Sequence, residues 1–173
     1  GAGGIAMLGI NGTYLSMVPG GTVTLQGTNT YTGPTTVFPG TLVVKRAGGL
    51  YNGDRAKWTP ANITVHKAAT LRLNVGGPGE FTGTQVSALL ANLTTGVNNN
   101  GLMAGSVLYL DTANSTGPVV LAGDIADSKG PGGGAFLLKR CGAGTLQLSG
   151  KNTYTGQTIL EGGTLSVSSL NSV

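Results

Sequence analysis

Gly144 to Val167 reads GTLQLSGKNTYTGQTILEGGTLSV, and Gly21 to Val44 reads GTVTLQGTNTYTGPTTVFPGTLVV. The two stretches lie 123 residues apart and are identical at 14 of their 24 positions, more than a biased composition produces. Within each, a Gly-Thr-apolar-x-apolar element recurs after 19 residues, from Thr22 to Thr41 and from Thr145 to Thr164. Thr22-Val23-Thr24-Leu25 and Thr145-Leu146-Gln147-Leu148 alternate at period two, placing apolar side chains on one face and hydroxyls or amides on the other. Such a strand buries nothing by itself. A unit of about 20 residues with two short strands and a turn finds its missing face in the next copy, the sequence mark of a β-solenoid coil.

Weaker echoes extend the pattern. Ala69-Thr70-Leu71-Arg72-Leu73 is one, and the opening Gly1-Ala2-Gly3-Gly4-Ile5-Ala6-Met7-Leu8 shares the phase of Gly142-Ala143-Gly144-Thr145-Leu146-Gln147-Leu148. Coils stacked at about 4.8 Å pair their backbone edges with their neighbours, and a chain of this length has room for roughly seven or eight of them. The expected fold class is all-β, a single β-solenoid domain over residues 1–173 with a less regular insertion at 51–100. The shared corner is built on Gly27, Asn29, Tyr31 and Gly33 in one copy and on Gly150, Asn152, Tyr154 and Gly156 in the other. Asn and Gly suit a turn because both tolerate positive φ, and Asn side chains of successive coils are expected to stack as a ladder. Tyr31 and Tyr154 read as packing residues, with stacking against a surface ligand as the competing role.

Composition agrees with this reading. Gly, Thr, Asn and Ser supply 77 of 173 residues, yet Leu, Ile, Val and Phe supply 43, enough to build a core. Gly lacks the collagen period, no apolar run approaches about 18 residues, and no cationic leader opens the chain, so a triple helix and membrane insertion are not expected. Ten basic residues against six acidic ones give +4, but the cations are dispersed and aromatics are only 5%, which argues against nucleic-acid binding. The single Cys141 forms no internal disulfide and reads as a small apolar residue. Asn-x-Thr triplets at Asn11, Asn62, Asn92 and Asn114 are glycosylation acceptors only where the host has the machinery.

Between the copies the period changes. Val86, Leu89, Leu90 and Leu93 fall on one helical stripe behind the capping-box pair Thr82 and Gln85, so one short inserted helix is expected near residues 83–93. Its structural reading is a lid on the stack, and its alternative is a partner-binding helix. Strands are expected within residues 61–75, 107–110 and 119–121.

Catalytic and metal chemistry finds little to use. Among the six acids, Asp124 and Asp127 are close in sequence, but a three-residue spacing on a strand places them on opposite faces, too few ligands for calcium. His66, the sole histidine, reads as an exposed turn residue beside Lys67. No cofactor, metal site or enzymatic activity is expected.

The order Gly-Ala-Gly-Thr-Leu-x-Leu-Ser-Gly-x-Asn-Thr-Tyr-Thr-Gly-x-Thr followed by Gly-Gly-Thr-Leu-x-Val, residues 142–167, resembles the autotransporter-associated β-strand repeat of bacterial secreted passenger proteins. Residues 21–44 resemble it too, with Pro39 where the second copy has Gly162. The resemblance implies a right-handed parallel β-helix, export across the bacterial envelope and an extracellular or cell-surface role. The leading functional expectation is a structural subunit that stacks end to end into a filament or stalk, because the chain opens in the Gly-Ala-Gly phase and finishes after a complete strand. A homo-oligomer by head-to-tail stacking is the expected partner state. The alternative is an adhesin segment presenting loops 51–58 and 95–105 to glycans or host proteins, with Tyr51 and Trp58 as its best exposed-aromatic candidates, although packing under the inserted helix is the leading reading of both.

Overall fold

The computed structural model describes residues 4–7, 15–16, 19–96 and 98–168. Gly1 to Gly3 and Leu8 of the opening echo, and the Asn11 triplet, lie outside the described residues. Among the described residues fourteen strands form three sheets, and every strand pairing is parallel. The long sheet has seven strands in order: β1 (Gly4–Met7), β3 (Thr22–Leu25), β5 (Thr41–Val44), β7 (Thr70–Asn74), β9 (Val107–Asp111), β11 (Leu137–Cys141) and β13 (Thr158–Leu160). A second sheet runs β2 (Leu15–Ser16), β4 (Thr35–Val37), β6 (Ile63–Val65), β8 (Gly101–Leu102). The third runs β10 (Val119–Leu121), β12 (Thr145–Leu148), β14 (Thr164–Val167). The chain leaves the long sheet, adds a strand to one of the others, and returns one rung further along.

Period-two alternation becomes two apolar columns on the inner face of the long sheet. Leu42, Leu71, Leu108 and Leu138 are partners in register, as are Leu25, Val44, Leu73 and Leu110, and all are buried. Each fully buried aliphatic side chain contributes about 2 kcal/mol, so the column is the main source of cohesion between rungs. The outward column in the same register holds Thr24, Val43, Arg72, Tyr109 and Lys139.

The two motif copies do not occupy the same sheets. In the first, the three strands are β3, β4 and β5, which lie in the long, second and long sheets; in the second they are β12, β13 and β14, in the third, long and third sheets. The frame has moved round by one face. The change happens around β9, which follows β8 of the second sheet and leads into β10, the first strand of the third. Asn29 and Asn152 therefore belong to different faces, and the expected Asn ladder does not connect them.

Helix α1 (Gly83–Leu93) is the expected helix, with Thr82 and Gln85 forming a reciprocal capping box. Val86, Leu89, Leu90 and Leu93 are its buried stripe. It packs against β10 and β8, the terminal strands of the third and second sheets. It therefore sits where one short sheet stops and another begins, and shields exposed strand edges in the way solenoids require.

Arg140 breaks the inner column. It occupies the register position of Leu110 and is fully buried, yet no carboxylate among the described residues pairs with it. Its guanidinium instead donates to the carbonyls of Gly142, Gly144 and Gly162 and to Thr112 Oγ1 at 2.7 Å. One side chain thus ties together the turns that follow β9, β11 and β13. Replacing Arg140 with Met keeps the apolar stem but orphans the carbonyls, so Arg140→Met is expected to lower stability by about 2–3 kcal/mol in urea denaturation. A Met variant as stable as the parent would show that the guanidinium does not clamp the turns.

Candidate functional site

The motif corner is a hydroxyl relay. Tyr51 OH donates to Asn62 O at 2.7 Å, so the 3.0 Å bond between Thr35 Oγ1 and Tyr51 must be donated by Thr35, and the 2.7 Å bond between Tyr31 and Thr35 by Tyr31. The proton order is Tyr31, Thr35, Tyr51, Asn62 carbonyl. Tyr51 stands 20 residues after Tyr31, and the two rings are 4.6 Å apart between centroids. Burial raises the Tyr31 phenol above its ordinary range, with the Thr35 bond opposing and the neighbouring Tyr51 adding to the rise. In the second copy Tyr154 and Thr158 repeat the first link at 2.6 Å, and the Tyr154 ring rests 6.0 Å from Phe136.

The other corner residues work differently from the sequence expectation. None of Gly27, Asn29, Gly33, Gly150, Asn152 and Gly156 adopts positive φ. Glycine is required at 150 and 156 by close approach: a Cβ there would drive into the carbonyls of Gly123 and Phe136 on the preceding rung. Buried Asn29 sends its side-chain N–H to Gly49 O at 2.9 Å, bonding the backbone of the next rung. Asn152 donates to Gly150 O within its own corner.

Residues 47–58 form three short 3-10 turns: Ala47–Gly49, Tyr51–Gly53 and Arg55–Lys57. Trp58 and Tyr51 take the packing role that leads in the sequence, not the exposed aromatic role of the adhesin alternative. Trp58 is fully buried, donates from Nε1 to Leu50 O, and lies 5.8 Å from the Phe81 ring, because it fills the space under the turns. Tyr51 is only 4% exposed, because the relay draws its hydroxyl inward. Tyr51 and Asn52 nevertheless have φ of 52° and 55°, a left-handed pair without glycine. Such conformations cost on the order of 1–3 kcal/mol each and persist only where the surroundings impose them. Here Asn52 N–H is bound to Asn29 O and Gly53 N–H to Leu50 O. The strained pair shapes a recess of about 240 Å³ lined by Thr30, Tyr31, Thr32, Asn52, Asp54 and Lys57 beside Tyr51.

The remaining chemical groups are engaged structurally. Asp124 accepts from Lys151 N–H, and Asp127 accepts from both the N–H and the hydroxyl of Thr155, so both acids hold the second corner. No group of three metal-ligating side chains occurs among the described residues. His66 is half-buried and stacks on Phe38 at 4.7 Å, a correction to its reading as an exposed turn residue. On the outer face Arg72 pairs with Asp111 at 2.7 Å and covers the Tyr109 ring, while Lys139 pairs with Glu161 at 3.2 Å. Burial pushes the Asp111 carboxyl up, but Arg72 and the Ala113 N–H outweigh it and hold the carboxyl below its usual range. Cys141 is half-buried, with Sγ 3.8 Å from the Arg72 guanidinium.

Comparison with known proteins fits this architecture. The family model for the passenger-associated-transport-repeat matches residues 20–44 and 142–167, so the chain carries two copies of an autotransporter passenger repeat. It is also 33% identical over 125 residues to the adhesin BmaC autotransporter of Brucella suis biovar 1 (strain 1330). That alignment covers 70% of this chain and 3% of the adhesin, so the chain spans a small fraction of the relative's length. No solved structure matches the chain significantly.

The relay has a pH signature. The Tyr31 phenol is harder to ionise in the folded state than in the unfolded one, so its contribution to stability is intact below about pH 10 and is lost as pH rises above that. Denaturation midpoints from pH 8 to pH 11 should fall for the parent and fall less for Tyr31→Phe, which should itself cost about 1–2 kcal/mol at pH 8. Parallel curves for the two proteins would rule out Tyr31 as the titrating group.

Proposed function

We propose that the chain is an adhesin-like segment of an autotransporter passenger, folded as one right-handed parallel β-helical domain and displayed at or released from a bacterial surface. In that role it binds glycans or host proteins and catalyses nothing. The observation that carries the reading is the coincidence of two passenger repeats with the strand-corner-strand units of three parallel sheets, in a chain one-third identical to part of an adhesin. The hand follows from the rule that parallel crossovers are right-handed in about 98% of cases. A surface location agrees with the sparsely charged, hydroxyl-rich composition. Among the described residues no helix is long and apolar enough to cross a membrane. The insertion at 51–100 remains part of the single domain in this proposal, since Trp58 and α1 join the same apolar core as the strands.

Beads coated with the purified chain should attach to epithelial monolayers at least about tenfold better than beads coated with an unrelated β-solenoid, because dense display adds avidity to weak contacts. Equal attachment would overturn the adhesin reading.

The comparisons favour the adhesin segment over a filament subunit.

A further inference from the structure

We propose that the recess between the first motif corner and the 51–57 turns is a binding site for one neutral sugar unit of a glycan. The inference rests on the adhesin reading and names the class of ligand its surface takes. Three exposed polar side chains stand at its rim. Asn52 is exposed, and its side-chain amide has no hydrogen-bond partner among the described residues. Asp54 uses Oδ1 to cap Ala56 N–H at 3.0 Å, and Oδ2 has no partner among the described residues. Exposed Lys57 has no ion pair among them. Thr30 and Thr32, both exposed, line the recess as well, together with buried Tyr31 and Tyr51.

The chemistry of these groups selects a polyol. A carboxylate oxygen accepts from sugar hydroxyls, an ammonium donates to them, and an amide and threonine hydroxyls do both. Asp54 and Lys57 cancel in charge, so the recess favours neither an anion nor a cation. With so little tyrosine exposed, recognition is by hydrogen bonds rather than by a sugar ring stacked on an aromatic face. At about 240 Å³ the recess is smaller than the roughly 300–1,000 Å³ of sites for drug-sized molecules, which fits a single ring at the end or side of a glycan. A peptide strand is a poorer fit. Strand addition needs open backbone groups, and here Asn29 N–H is bound to Gly48 O and Asn52 N–H to Asn29 O.

The backbone strain also points here. Tyr51 is buried against the relay, and its left-handed conformation carries the chain so that Asn52 leaves the core and stands at the rim. A glycine at 51 would take that conformation without strain, but it would forfeit the ring that packs on Tyr31.

The test uses the chain displayed on beads and probed on an array of neutral, amino and acidic glycans. Asn52→Gly keeps the left-handed backbone and removes the amide, Asp54→Asn keeps the cap and removes the charge, and Lys57→Met keeps the stem. Lys129→Ala, on a different exposed loop, is the control. The expected result is binding to glycans sharing one neutral sugar, reduced at least about tenfold in each rim variant and unchanged in the control, with all melting temperatures preserved. Binding untouched by the rim variants, binding only to acidic glycans, or no glycan binding would each overturn the recess proposal. Attachment of the same beads to cells separates the two ideas: rim variants that attach like the parent defeat the recess and leave the adhesin reading standing, whereas a parent that does not attach defeats both.

Discussion

A strand in this chain has one apolar face and two open edges, and another rung is what satisfies both together. That constraint organises the rest. It forces the strands to be parallel and in register, since a shift by one residue would turn every Leu of the inner columns outward. It forces glycine where rungs approach too closely for a side chain, as at Gly150 and Gly156 against the rung before. It also gives Asp124 and Asp127 their work, which is to accept hydrogen bonds from Lys151 and Thr155 of the second corner.

The inner columns were legible in the sequence because period-two alternation survives in each strand, and α1 was legible because its stripe and capping box are local. What escaped notice depended on neighbours outside the local window. Arg140 interrupts an apolar column, and alternation alone gives no reason for a cation there; the carbonyls of Gly142, Gly144 and Gly162 that hold it come from turns after it, and the Thr112 hydroxyl from a turn before it. Tyr51 and Trp58 sit beside exposed Asn52 and Lys57, and the groups they pack against are not written next to them in the chain. Their burial is decided by Tyr31 and Phe81, each about 20 residues away. The recess was hidden for the same reason, since its walls come from adjacent rungs. One signal did point to it: Tyr51 follows Tyr31 by a single coil period.

Rigidity and adaptability are divided along the chain. The relay, the buried Asn29 and the Arg140 clamp fix the corners and turns, whereas the 3-10 turns of residues 47–57 depart from the repeat and project polar side chains. A scaffold of this kind holds an irregular loop in one conformation at little entropic cost, because the strain at Tyr51 and Asn52 is set by packing before any ligand arrives.

The displacement of the second motif copy to other sheets separates local geometry from bearing. A corner keeps its Tyr–Thr hydroxyl bond wherever it lands, but the direction it faces about the stack axis is set by the stretch that precedes it. Lengthening or shortening that stretch therefore re-aims a corner without redesigning it. A small vocabulary of near-identical motifs can in this way point different neighbouring loops toward different sides of one shaft.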